Sequence, residues 1–160
     1  MSHERLDNIA WQTIRDRKRP ERPPRGIENG GRACNFSEVE ALIRDGMSFD
    51  DAFESWLQEM YQYRQESFFA IPPSPFFAQH ERAWMAGVAE GMARKLDLPV
   101  PTWVESPEFF LSEVYDWERD ALDRFFPPEW ADMLDERLEG SDPEFRRRRV
   151  IARLRDLIRV

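Results

Sequence analysis

"FFAQHERAWMAGVAEGMARKL", residues 76–96, decides the fold class. Small or flexible residues recur along it: Ala83, Met85, Ala86, Gly87, Val88, Ala89, Gly91, Met92 and Ala93. Small side chains let other elements come close to a helix axis. The stretch therefore reads as the longest helix and the centre of the molecule. "DLPVPTW" ends it with two prolines.

Downstream, "SPEFFLSEVYDWERDALDRFF" (106–126) predicts a helix with Ser106 as cap and Pro107 at its first position. "PPEWADMLDERLEG" (127–140) repeats this grammar with Pro128 and stops at Gly140. "SDPEFRRRRVIARLRDLIRV" (141–160) opens with Asp142 and Pro143. Its apolar positions 150, 151, 154, 157 and 158 form one helical face, which predicts a docked amphipathic last helix. Arg153, Arg155 and Arg159 lie off that stripe, where they complement the C-terminal dipole.

Upstream, "FFAIPPSPFF" (68–77) carries prolines at 72, 73 and 75, which forbid regular helix. Its phenylalanines, Phe68, Phe69, Phe76 and Phe77, form either a plug between helices or an exposed loop for a partner. "SFDDAFESWLQEMYQYRQ" (48–65) is a helix capped by Ser48, with a stripe of Phe49, Ala52, Phe53, Trp56, Leu57, Met60 and Tyr61. "SEVEALIRDG" (37–46) is a short helix with a capping box from Ser37 to Glu40. Residues 3–17 read as a helix with Leu6, Ile9, Ala10, Thr13 and Ile14 on one face and Ser2 as cap. "KRPERPPRGIENGGRACN" (18–35) is a loop or arm.

No segment alternates as a strand. The expectation is an all-α fold, a single-domain bundle of six or seven helices. Residues 1–35 supply an N-terminal helix and an irregular Pro/Gly-rich arm, and residues 36–160 the helical domain.

Composition agrees with one folded domain: 160 residues, 41% hydrophobic and 34% charged, with six Trp and twelve Phe. No apolar run approaches the roughly 18 residues that span a bilayer. "MSHERLDNIAWQTIRDRKRP" has no secretory apolar region, and Cys34 is the single cysteine. Together these favour a cytoplasmic protein.

Charge is uneven. The net of −8 divides into about +3 over residues 1–35, −16 over 36–142 and +5 over 143–160. The acidic middle repels nucleic acid within a Debye length of roughly 8–10 Å. The basic ends can fold onto it, and Arg146, Arg147, Arg148 and Arg149 then read first as an internal clasp and second as a partner site.

The residues offer little chemistry. The histidines are His3 and His80. In "HERAW" (80–84), Trp84 stands where a zincin motif needs its second His. Glu113, Asp116 and Asp120 fall at i, i+3 and i+7, so on one helix they form a solvated acidic face or a carboxylate-only cation site. The Glu-x-x-His pair of a di-metal bundle is absent. Cys34 has no His near it in sequence, and "GIENGG" (26–31) matches neither a phosphate loop nor a dinucleotide fingerprint. No catalytic, cofactor-binding or metal-ligating residue is assigned.

Two blocks carry a resemblance. "LIRDGMSFDDAFESWLQEMYQYR" (42–64) is one. The other runs from "MAGVAEGMARKLDLPVPTWVES" to "LEGSDPEFRRRRVIAR" (85–153). Their order resembles a poorly characterised group of small bacterial all-helical proteins, antitoxin-like or accessory members of two-gene modules. The likeness covers about two thirds of the chain and rests on Trp103, Phe145, Arg146, Arg147 and Arg148. It implies a non-enzymatic protein-interaction module whose protein partner is encoded by a neighbouring gene. The candidate partner-binding residues are Arg146, Arg147, Arg148, Arg149, Phe68, Phe69, Phe76 and Phe77. The alternative is a nucleic-acid-binding regulator using the basic N- and C-terminal segments.

Overall fold

The computed structural model describes residues 3–118 and 131–157. The chain is mostly helical, with α1 (His3–Arg15), α2 (Phe36–Arg44), α3 (Phe49–Tyr63), α4 (Gln79–Lys95), α5 (Ala131–Glu139) and the single turn α6 (Pro143–Arg146). Two short strands, β1 (Tyr115–Asp116) and β2 (Val150–Ile151), pair in parallel. No described helix is long and apolar enough to cross a membrane.

α3 follows its sequence closely. The Ser48 hydroxyl accepts a hydrogen bond from the Asp51 amide at 3.1 Å. Ala52, Phe53, Trp56, Leu57, Met60 and Tyr61 are buried along one stripe. α2 starts one residue before the expected cap. Asn35, rather than Ser37, takes the Glu38 amide at 2.8 Å. The Glu38 carboxylate turns back to the preceding arm, where it accepts from the amides of Ile27 and Cys34 at 2.9 and 3.3 Å.

α1 docks through a different face from the expected one. Trp11 and Ile14 are buried, whereas Leu6 and Ile9 are 46% and 52% exposed. The Trp11 ring packs against Tyr61, and Arg15 donates to the Lys95 carbonyl at 2.7 Å. That bond satisfies an orphan acceptor at the end of α4, so the C-terminal half of α1 is the half held down. The Ser2 cap lies outside the described residues.

α4 is the buried axis, starting at Gln79 rather than Phe76. Every residue from Ala83 to Ala93 is buried. A Cβ on Gly87 would lie 2.5 Å from the Phe145 ring, and one on Gly91 would lie 3.1 Å from Leu154. The small residues therefore receive side chains of the C-terminal segment, and α4 packs against α6, β2 and the short turns at 102–109.

The helix expected over 127–140 is present as α5 and stops before Gly140, whereas the one expected over 106–126 does not form over its described part, 106–118. From 106 onward there is a short 3-10 turn, Pro107–Phe109, and then β1. Residues 119–130, including Asp120 and Pro128, lie outside the described residues. The amides of Leu111, Tyr115 and Trp117 donate to the carbonyls of Arg148, Arg149 and Ile151 at 3.3, 2.9 and 3.2 Å. The last helix likewise stops after one turn. Arg149 takes a left-handed φ of 61° and breaks it. Val150, Ile151 and Ala152 are then buried consecutively, a pattern that suits a covered strand and not one helical face. A 3-10 turn, Leu154–Leu157, ends the described chain.

In most helix interiors Gly→Ala stabilises by about 1 kcal/mol. Gly87→Ala is expected to do the reverse here, lowering stability by about 1–3 kcal/mol through the clash with Phe145. Urea unfolding measures it, and adding Phe145→Leu should recover part of the loss.

Candidate functional site

The arginine run is built around Glu90 of α4, whose side chain is 4% exposed. Arg148 is wholly buried and donates to Glu90 at 2.7 Å, to the Glu144 carbonyl at 2.6 Å and to the Val104 carbonyl at 2.8 Å. Arg147 bridges Glu90 and Glu105, each at 2.5 Å. Arg94 closes on the second Glu90 oxygen at 3.1 Å. The guanidinium groups of Arg148 and Arg147 lie 4.9 and 5.4 Å from the Phe110 ring centroid, a cation–π arrangement. Arg149 donates to the Ser112 carbonyl and Arg146 to that of Glu139. The run thus joins α4, the turns after it and the tail.

Electrostatics follow from this geometry. Burial pushes the Glu90 carboxyl up, but the hydrogen bonds and charges of Arg147 and Arg148 outweigh it and hold the group below its usual 4.5. The bond from Arg147 holds the Glu105 carboxyl low as well. Burial draws the Arg148 guanidinium down, against the pull of Glu90. The carboxylate keeps its charge in a dry site because its oxygens are shared among three cations.

The phenylalanines divide. Phe68 and Phe69 are buried, and their carbonyls accept the indole N–H groups of Trp56 and Trp103 at 3.0 and 2.8 Å. Phe77 is buried with its ring edge-on to Phe49. Phe76 is 40% exposed, and the Arg44 guanidinium sits 4.4 Å from its ring centroid. The loop beneath is fastened: the Ser74 hydroxyl accepts from the Phe76 amide at 3.2 Å and donates to Glu40. That donation, aided by Arg44, holds the Glu40 carboxyl below the usual range. Phe76 thus rests on α2, while the arginine run rests on α4 and the turns after it.

The carboxylate row is not one helix face. Glu113 is exposed in an irregular stretch, and Asp116 is held in β1 by a two-pronged contact from Arg137 of α5. Among the described residues no group of three His, Cys, Asp or Glu side chains is placed to hold a metal ion. His80 stacks on Tyr115 with ring centroids 4.2 Å apart. Burial, reinforced by Glu38, pushes the Cys34 thiol up to about 11, which keeps it protonated and poorly nucleophilic at neutral pH.

Two clefts had no sequence signal, because their walls come from distant segments. One, of about 490 Å³, is lined by Trp84, Trp117, Glu118, Ala152, Arg153, Asp156 and Leu157, with Trp84 and Trp117 stacked at 4.3 Å. Burial and the neighbouring Glu118 push the Asp156 carboxyl up. The other, of about 380 Å³, lies between the N-terminal arm and α3.

Removing the Glu90 charge would leave two arginines uncompensated, at a cost of about 3–5 kcal/mol. Because the folded Glu90 pKa is depressed, its stabilising share is complete above about pH 4.5 and is lost as pH falls through the folded value. Urea midpoints from neutral pH down to pH 3 (about the acid limit of the carboxylate range) should therefore fall more steeply for the parent than for Glu90→Gln.

No protein-family model matches the chain, and neither a curated protein nor a solved structure does.

Proposed function

We propose that this chain is a non-enzymatic protein-interaction module of the cytoplasm, an antitoxin-like or accessory subunit that binds one protein partner. The partner is encoded by a neighbouring gene and presents an apolar pocket to Phe76. The observation that carries this reading is the exposed Phe76 ring, stacked under Arg44 on a loop fastened through Ser74 and Glu40. Ile71 on the same loop and Met47, three residues beyond Arg44, are also exposed. Aromatic, Met and Arg side chains are the types enriched where protein interfaces are buried. A fastened loop also lowers the ordering cost of association.

The distribution of the arginines supports a protein partner over nucleic acid. Arg147 and Arg148 are neutralised by Glu90 and Glu105, so they are poor phosphate ligands. Phe68, Phe69, Phe77 and Arg148 act from beneath the surface by holding Phe76 and the tail in place.

Affinity capture from the native host tests the proposal. The tagged chain should bring down one protein in stoichiometric amount, and Phe76→Asp should lose it while keeping the circular dichroism and melting temperature of the parent. Recovery of the parent chain alone would overturn the reading.

A further inference from the structure

The second cleft is lined by Arg22, Arg25 and Arg32, together with Gly30, Gly31, Glu59, Gln62 and Tyr63. Three arginines line it with a single acidic residue, in a chain of net charge −8. Arg32 has a long ion pair with Glu59, at 3.6 Å. Among the described residues the guanidinium groups of Arg22 and Arg25 have no hydrogen-bond or ion-pair partner, although acidic side chains are plentiful on this protein. Like charges gathered in this way repel one another unless an anion lies between them.

The arm that presents them is fixed at several points. Glu38 holds the amides of Ile27 and Cys34, the Ser55 hydroxyl holds that of Ala33, and the Asn29 side chain donates to the Arg25 carbonyl. The Gly31 amide donates to the Gly26 carbonyl at 2.9 Å. The turn is so tight that a Cβ on Gly31 would lie 2.8 Å from the Arg25 Cβ and 2.9 Å from the Gly26 oxygen. The glycine therefore sets the stem of Arg25 close beside Arg32. At the other end, Arg64 of the α3 terminus donates to the Arg17 carbonyl. The arginines are held on a fastened scaffold and not on a loose basic tail.

We propose that the cleft between the Gly26–Arg32 turn and the C-terminal half of α3 binds a phosphate monoester, with Arg22, Arg25 and Arg32 as its guanidinium ligands. Arginine forks match phosphate oxygens in pairs, and a terminal phosphate offers three oxygens to three forks. Gln62 supplies a neutral hydrogen-bonding group for the rest of the ligand. A volume of about 380 Å³ holds a small phosphorylated molecule. An extended polyanion is disfavoured, because the strongly acidic middle of the chain repels the phosphates that would run beyond the cleft. Glu59 competes with the ligand for Arg32.

Calorimetric titration of the full chain at low salt tests this, with glucose 6-phosphate, inorganic phosphate, glucose and a single-stranded oligonucleotide lacking a terminal phosphate as probes. Saturable binding of glucose 6-phosphate and inorganic phosphate is expected, and none of glucose. Arg22→Gln with Arg25→Gln should weaken it by about tenfold or more. These side chains lie on the exposed arm, and an unchanged melting temperature checks that the fold is kept. Glu59→Gln should tighten binding, an effect opposite in sign to any general loss of structure. Absence of phosphate binding, equal binding by the double variant, equal binding of glucose, or preference for the oligonucleotide would each overturn the proposal.

Discussion

Glu90 is the constraint on which the rest of the molecule depends. A carboxylate in the middle of a buried helix is tolerated only if cations come to it, and two of the three that do belong to the C-terminal segment. The tail must therefore approach α4, and once there it cannot continue as a helix. Arg148 points inward to Glu90 and Arg147 reaches both Glu90 and Glu105. Arg149 turns left-handed, which delivers Val150 and Ile151 to the side of β1. Gly87 and Gly91 are the steric counterpart of this electrostatic demand, since they leave room for Phe145 and Leu154 on either side of the ion cluster.

Such a centre confers specificity more readily than stability. Replacing a buried ion pair by apolar groups is often neutral or stabilising, so the cluster is not needed merely to fill space. It does make misregister costly. Shifting the tail by one residue would bring another arginine, Arg147 or Arg149, to Glu90, but it would part Arg147 from Glu105 and carry Phe145 and Leu154 away from the notches at Gly87 and Gly91. The short parallel pair of Tyr115 with Val150 and Asp116 with Ile151 is too small to set its own register, and the seats of Phe145 and Leu154 on α4 set it together with the arginine contacts.

The elements legible in the sequence were those governed by local rules. α3 could be read because its cap and its 3–4 spacing are both encoded within fifteen residues. The axis role of 76–96 could be read from its small residues, though not what would lie against them. The face expected of α1, with Leu6 and Ile9, gave way to one with Trp11, because Tyr61, distant in sequence, packs against that ring. The starts at Pro107 and Pro143 were visible, but their extents were not, because amides at 111–117 find carbonyls at 148–151 and no local pattern announces such a pairing. The same holds for the candidate sites. Phe76 differs from Phe77 only in which way the loop turns, and the arm cleft exists because α3 happens to pass beneath the Gly26–Arg32 turn. The −16 of the middle section pointed to internal partners for the arginines, whereas the particular carboxylates, Glu90 and Glu105, followed only from the fold.

The filling of α4 by Phe145, Arg148 and Leu154 also has a consequence for how the protein is made. Those residues leave the ribosome long after α4 does. Throughout that interval the nascent chain carries a helix with open glycine notches and an acid whose one cation is Arg94, a turn away on the same helix. Its core closes only when the late segment arrives, so closure waits for residues 145–154 to emerge and is not a gradual accretion from the N-terminus. Any factor that shelters apolar nascent helices has its natural window between those two moments.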